Sequence, residues 1–426
     1  MDKEIDVGPA SATHQAGIGK LGPLGAQPPL SEELEMIRQT VHRFALEVMR
    51  PVGIALDRMT PEQVIAPESP YWTALEKFLE LGFGVEELLA LDPPERALTM
   101  SILFEELGWG DAGLAISFGV GMLATLMCQV MGTPFLRALA PAHRLGCWAI
   151  TEPDHGTDML DPNKMIASAQ GKYGQPNCVA TLQGGVVTIN GQKSAWVSNG
   201  TIAGVCILYC ASDTGSGPDT RNGCVVIVPL DAPGVSRGKP LDKLGQRALN
   251  QGEIYFDNVV LSAEHVLAAP GQYQEAVYGI HTFANALMGT VFTGCARSAY
   301  ELAHAYAHER KQGGLPIIRH QSVAYRLFHM FRKVEAARAL TQRVVHYNYA
   351  APAASLHAAM TAKVTATQTA FEVASDALQI FGGNGLTRDY PVEKILRDAR
   401  ASLIEDGCNE ILAIKGGYYL IDPDLL

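Results

Sequence analysis

The spacing of the apolar residues changes twice along this chain, and that double change constrains the fold more than any other feature. From Ser31 to about residue 140 the spacing is helical. Ser31 reads as an N-cap with Glu32 and Glu33 in the first turn, and Leu34, Ile37, Val41, Phe44 and Val48 follow on one face. Near Gly146 the pattern becomes short β-branched runs, "GVVTING", "AGVCILYC", "CVVIVPL" and "EIYFDNVVL". Turn formers such as "TGSGPDTRNG" and "DAPGVSRGKP" separate them. From about Glu264 the helical spacing returns. It predicts helices over 291–310, over 321–349, from a Ser355 cap to a stop at Gly382–Gly383, and over about 407–420. The expected class is α+β, mostly helical: an N-terminal helical domain (31–145), a middle antiparallel β-barrel-like domain (146–263) and a C-terminal four-helix bundle (264–426). Residues 1–30, rich in Gly, Pro and Ala without period, read as a flexible tail.

With 426 residues, 47% apolar and 18% charged, the chain can bury a large core. Its net charge is −11 and no Lys/Arg block occurs, which argues against a nucleic-acid partner. Eight scattered cysteines without a C-x-x-C pair suggest reduced thiols in a cytoplasmic protein, and "MDKEIDVGPA" lacks the basic start and apolar run of a signal peptide. Ala112 to Leu136 carries no charge and is long enough to span a bilayer. Its Gly, Ser, Thr, Gln and Pro content favours a buried helix, so no membrane span is expected. His304 and His308 stand at i, i+4 without an H-E-x-x-H context, and Asp154, His155 and Asp158 fit a loop better than a metal cluster, so no metal is expected. No strand–turn–helix frames a G-x-G-x-x-G run, which disfavours a Rossmann fold.

Four motifs carry a resemblance. They are "CWAITEPDHGTD" (147–158), "NGQKSAWVSNG" (190–200), "HERKQGG" (308–314) followed by His320–Gln321, and "QIFGGNGLTRDYPVEKILRDAR" (379–400), which runs into "LIEDGCNEIL" (403–412). In this order, over about residues 31–420, they resemble the acyl-CoA dehydrogenase family. The resemblance implies FAD as cofactor and α,β-dehydrogenation of an acyl thioester. A carboxylate removes the α proton, and the β hydrogen passes as hydride to flavin N5. Such a C–H is weakly acidic, so the base must be buried and well placed, and the developing enolate needs donors.

Carried over by position, the resemblance places the base on Asp406, one methylene shorter than the family's usual Glu. Glu405 is the alternative, expected to point about 100° away on a helical turn. The pair could also do no more than cap a helix. The alternative family position for a base falls on Ala284, which cannot serve. The resemblance further implies that Trp148, Ile150, Thr151, Thr157, Trp196, Val197 and Ser198 line the flavin. Arg310, His320, Gln321, Gln379, Ile380, Gly382 and Gly383 would meet the FAD of a neighbouring subunit. Cys408, in place of Thr, and Glu410 complete the implied cofactor set, and Gly313 replaces a Phe. Thr157, Asn285, Asp406 and Gly407 are the implied substrate contacts, Asn285 standing where an Arg is usual.

The expected activity is therefore that of an FAD-dependent dehydrogenase of an acyl-CoA or acyl-carrier thioester, working as a homotetramer and passing electrons to an electron-transfer flavoprotein. The alternatives are a flavin monooxygenase or lyase-like enzyme on the same fold, and a non-catalytic acyl-CoA-binding subunit. An added piece, "GKYGQPNCVATLQGG" (171–185), enlarges the β region.

Overall fold

Side-chain caps set the helix starts. Ser31 Oγ accepts the Leu34 N–H at 3.2 Å and opens α1 (Glu32–Phe44). A π-helical turn, Ala45–Met49, leads into α2 (Arg50–Asp57). Then come α3 (Pro61–Ile65), α4 (Pro70–Leu79), α5 (Val85–Ala90), α6 (Pro93–Gly110), α7 (Ala112–Met131) and α8 (Pro134–Leu139). Thr60, Ser69, Asp92, Asp111 and Thr133 each cap the helix that follows, with Pro at the start of four of them, where its missing N–H costs no bond. The computed structural model describes residue 25 and residues 29–141, 143–161, 174–422 and 424. Most of the expected 1–30 tail lies outside the described residues, as do 171–173 of the added piece.

Uncharged α7 is long and apolar enough to cross a membrane, yet 61% of its most apolar window is buried inside the protein, as in a core helix. Asp111 Oδ1 accepts the Leu114 N–H at 2.9 Å and starts it.

The middle strands form one sheet in the order β6 (Val235–Arg237), β7 (Ile254–Ser262), β3 (Val186–Lys193), β2 (Cys178–Gln183), β4 (Val205–Asp213), β5 (Asp219–Pro229) and β8 (Val266–Ala268), with β1 (Gly146–Ala149) on β4. The sheet is mixed rather than wholly antiparallel, because β1 and β2 both run parallel to β4. The added piece supplies β2 and its two-glycine turn into β3. There Gly184 (φ +62°) and Gly185 (φ +80°) take the left-handed conformation that such a hairpin needs.

The remaining elements are α9 (Tyr273–Glu309), a small hairpin of β9 (Lys311–Gln312) and β10 (Leu315–Pro316), α10 (Gln321–Ala350), α11 (Leu356–Phe381), α12 (Val392–Ser402) and α13 (Asn409–Ile421). Helix α9 starts at Tyr273 rather than Val291 and packs against α6, α10 and α11. The approach to α6 is close. A Cβ at Gly294 would stand 1.9 Å from the Glu105 carbonyl oxygen, and one at Gly108 would stand 2.0 Å from that of Val291. Beside this seam Arg297 pairs with Glu105 at 2.7 Å and with Glu106, while Arg338 of α10 reaches Glu105 at 3.0 Å, all four side chains being buried.

Candidate active site

A cleft of about 800 Å³ opens where the sheet, the α12–α13 turn, α7 and α9 meet. Its sheet side includes Trp148 on β1, whose buried indole N–H has no partner among the described residues. Ile150 lines the cleft, and its carbonyl accepts from Lys193 Nζ at 3.0 Å. That fully buried lysine also bonds Glu152 at 2.6 Å, which ties the 150–153 loop to the end of β3. The Thr151 and Ser194 hydroxyls lie 2.6 Å apart, and both residues line the cleft. Trp196 presents its ring to the cleft with 62% exposure, and Ser198 Oγ accepts from Gln251 Nε2 at 3.2 Å.

The turn between α12 and α13 brings the two acids to the cleft. After α12 the chain does not continue as helix: Asp406 (φ +49°) and Gly407 (φ +92°) both take left-handed conformations. A Cβ at Gly407 would lie 2.8 Å from Leu412 Cδ2 and 3.2 Å from Leu160 Cδ1, so the turn needs glycine for space as well as for φ. A non-glycine residue in this region costs about 1 kcal/mol or more, so its surroundings must hold it there. Asn285 Nδ2 donates to the Asp406 carbonyl at 3.2 Å, Lys363 Nζ donates to the Gly407 carbonyl at 2.8 Å, and the Cys408 N–H donates to Thr157 Oγ1 at 3.3 Å.

Glu405 and Asp406 both line the cleft. The expectation that Glu405 points away rests on helical geometry, and the left-handed turn removes that geometry. Each acid keeps some surface toward the cleft and is otherwise enclosed by protein. Burial pushes Asp406 up to about 6, against the pull of Lys363. Burial likewise pushes Glu405 up to about 7, offset by the Gln246 amide at 2.7 Å and by Lys243, and reinforced by repulsion from Asp406. A carboxylate ionised just below neutral pH is suited to taking a proton from a weak carbon acid.

The structure thus brings Trp148, Ile150, Thr151, Thr157, Trp196, Ser198, Asp406 and Gly407 around one cleft. Other expected residues lie elsewhere. Val197 is 2% exposed, and its side chain packs in the sheet core instead of lining the cleft. Asn285 is fully buried and holds the Asp406 backbone rather than lining the cleft, since its short amide ends at that carbonyl. Cys408 acts through its backbone at the start of α13, and Glu410 is exposed in the first turn of that helix.

Arg310, His320, Gln321, Gln379, Ile380, Gly382 and Gly383 line no part of this chain's cleft. They sit around the end of α9 and the end of α11. There Tyr306 stacks on Phe381 with ring centroids 4.0 Å apart and accepts from Asn384 Nδ2 at 2.9 Å, and the Arg310 carbonyl accepts the Ile317 N–H at 2.8 Å.

Sequence reasoning missed Lys243, Gln246 and Lys363. Lys363 had a legible signal: a lone cation among Ala359, Ala362 and Ala366 on the buried face of α11.

The residues present suit a flat, hydrogen-bonding cofactor such as a flavin. The cleft is large enough, the Trp148 N–H lacks an acceptor among the described residues, the Trp196 ring is largely exposed, and Thr151, Ser194 and Ser198 line the same space. The comparisons with known proteins point the same way. Residues 147–259 match the acyl-CoA dehydrogenase middle-domain model and residues 282–415 the acyl-CoA dehydrogenase C-terminal-domain model. The chain is 28% identical to a short-chain-specific acyl-CoA dehydrogenase of Clostridium acetobutylicum, over 91% of this chain and 98% of that one. It is 30% identical to a glutaryl-CoA dehydrogenase of Desulfococcus multivorans, over 90% and 96%. It superposes on the butyryl-CoA dehydrogenase structure of Megasphaera elsdenii with a TM-score of 0.79 at 26% identity, covering 93% of this chain and all of that one.

Proposed function

Given that the chain belongs to the acyl-CoA dehydrogenase family and is an enzyme of that class, we propose that Asp406 is the base that removes the α proton of an acyl thioester held in the 800 Å³ cleft. The observation that carries this reading is that Asp406 lines the same cleft as Trp148, Trp196 and Ser198. FAD, when bound, supplies the acceptor for the β hydride. Trp148, Ile150, Thr151, Trp196 and Ser198 are the residues of this chain that would hold it. Asp406 takes the proton at its carboxylate, which burial keeps basic enough to accept it near neutral pH. The left-handed turn fixes the carboxylate's approach. The apolar side chains of Ile116, Val120, Leu160 and Met288 exclude water from the reacting end of the cleft, which preserves the strength of that base.

Electrons leave to an electron-transfer flavoprotein. The working unit is a cytoplasmic homotetramer in which Arg310, His320, Gln321 and residues 379–383 meet the cofactor of a neighbouring subunit. Their position away from this chain's own cleft supports that arrangement. The carrier of the acyl group is CoA, or an acyl-carrier protein in its place.

The test is anaerobic. Purified protein loaded with FAD is mixed with a panel of acyl-CoA and acyl-carrier thioesters, and flavin absorbance is followed. Bleaching by at least one thioester, without added reductant, is the expected result. A flavin that bleaches only with an external reductant and is then reoxidised with oxygen incorporation would indicate a monooxygenase. Protein that binds no flavin would indicate a non-catalytic subunit.

A further inference from the structure

One buried cation behind the base has no part in the reaction as described. Lys363 lies about two turns into α11, fully buried among small residues. Its Nζ donates to the Gly407 carbonyl at 2.8 Å and to Asn409 Oδ1 at 2.8 Å, and Asn409 is held in turn by Thr367 at 3.0 Å. Among the described residues no carboxylate oxygen stands within the 4.0 Å of an ion pair with this ammonium. A buried lysine without such a partner is costly to keep charged, so a fold retains it only where the charge or its bonds serve something else. What it faces is the turn that carries Asp406.

We propose that Lys363 is a positioning residue for Asp406, fixing the backbone of the 406–409 turn through Gly407 and Asn409 and setting a positive charge behind the carboxylate. This inference rests on the reading of Asp406 as the base. The turn is gripped from two helices at once, by Asn285 of α9 on the Asp406 carbonyl and by Lys363 of α11 on the next carbonyl. Two consecutive left-handed residues are thereby held where the carboxylate enters the cleft.

The cleft is also lined by Glu152, Asp154, Asp242 and Arg400, and the groups that act on the two acids are these. Lys363 faces Asp406, Glu405, Cys408 and Glu410. Lys243 faces Glu405 from the loop after β6. From α9, His281 is fully buried beside the Asp406 backbone; burial first, then Lys415 of α13 and Lys363, holds its pKa well below the ordinary value, so it adds no charge. Lys415 itself faces Asp161. Lys363 is therefore the cation that offsets burial at Asp406. Burial lowers Lys363 to about 8, and Asp406 leads the charges that oppose that fall. Between about pH 6 and about pH 8 both groups are ionised.

The test compares the wild-type holoenzyme with Lys363→Met, Lys363→Gln and Lys363→Arg. Two readouts are taken. One is an infrared titration of ¹³C-Asp-labelled enzyme without thioester, with Asp406→Asn used to assign the band. The other is anaerobic flavin reduction by butyryl-CoA from pH 5 to 9. In Lys363→Met the Asp406 midpoint is expected to rise by about one unit or more, as loss of a nearby opposite charge requires. The reduction rate at pH 6.5 is expected to fall by about threefold or more, as the ionised fraction of Asp406 falls, with bound flavin unchanged and KM little altered. Lys363→Arg restores the midpoint. Lys363→Gln, which keeps a donor but not the charge, shows the raised midpoint even where Lys363→Met does not fold. An Asp406 midpoint in Lys363→Met or Lys363→Gln equal to that of the wild type would overturn the proposal. If the wild type fails to reduce its flavin with any thioester, the proposed reaction falls, while the infrared midpoint still decides the role of Lys363.

Discussion

Asp406 and Glu405 are neighbours in sequence, share a cleft, and have both been pushed toward neutral pH by burial. The asymmetry between them is in their partners. Glu405 is tied down by the Gln246 amide, whereas the rise at Asp406 is offset by the charge of Lys363 behind the turn. Asp406→Asn is therefore expected to slow flavin reduction by about 10²- to 10⁴-fold, the usual worth of a positioned base. Glu405→Gln should retain more than about a tenth of the rate, since it removes a neighbour and not the base. The reverse order of damage would move the base to Glu405. The acid limb of the wild-type rate should rise through about pH 6. The same shift has a stability sign. The folded pKa of Asp406 lies above the ordinary 3.8, so folding favours the protonated acid. That contribution is fully present below about pH 4 and is lost as pH rises through about 6. Asp406→Asn should flatten the fall in stability over that window, measured by denaturant midpoints at each pH. The position of Asp406 at the cleft was legible in the sequence because the motif around it is long. The direction of Glu405 could not, because a positive φ leaves no trace in apolar spacing, and the roles of Asn285 and Lys363 are made through backbone carbonyls that only tertiary packing brings near.

At the scale of elements, the site depends on α9 lying close enough to α6 and α11 for Asn285 to reach the turn. Gly294 sets the first of these distances. A methyl group there would meet the Glu105 carbonyl at 1.9 Å and the Trp109 nitrogen at 2.7 Å, both backbone atoms that cannot swing aside. Gly294→Ala is expected to cost about 2–3 kcal/mol, the upper range for overpacking, read as a lowered urea midpoint at unchanged slope. A variant as stable as the wild type would show that the two helices are not held at this separation. Elements with local signals were legible. Ser355 accepts the Ala358 N–H at 3.1 Å and begins α11, which ends at Phe381 before the glycine pair. The first half of α9 was hidden, because Gly279, Thr282, Asn285 and Gly289 break its apolar spacing, and α12 was read only as a motif. The parallel pairing of β1 and β2 with β4 is non-local and could not be read from alternation along any one strand.

Across the whole molecule, charge buried between helices ties the N-terminal helices to the C-terminal bundle. Arg297 answers both Glu105 and Glu106, and Arg338 shares Glu105, with every one of these side chains at most 3% exposed. Arg297→Met would leave Glu106 without its guanidinium partner in a buried place, and about 3–5 kcal/mol of stability should go with it. A loss below about 1 kcal/mol by calorimetry would mean that the network contributes little. The order of helices, sheet and helices followed from the spacing of apolar residues, but the cleft exists only because four distant segments, around 148–160, 194–198, 242–251 and 400–407, converge on α7 and α9. The most direct test of that convergence is the primary deuterium isotope effect on anaerobic flavin reduction by butyryl-CoA deuterated at the α carbon, measured for wild type and for Asp406→Asn at pH 7. With Asp406 as base the wild type slows on α-deuteration, and Asp406→Asn keeps its bound flavin but loses nearly all reduction. Fast, isotope-insensitive reduction by Asp406→Asn would contradict the placing of the base.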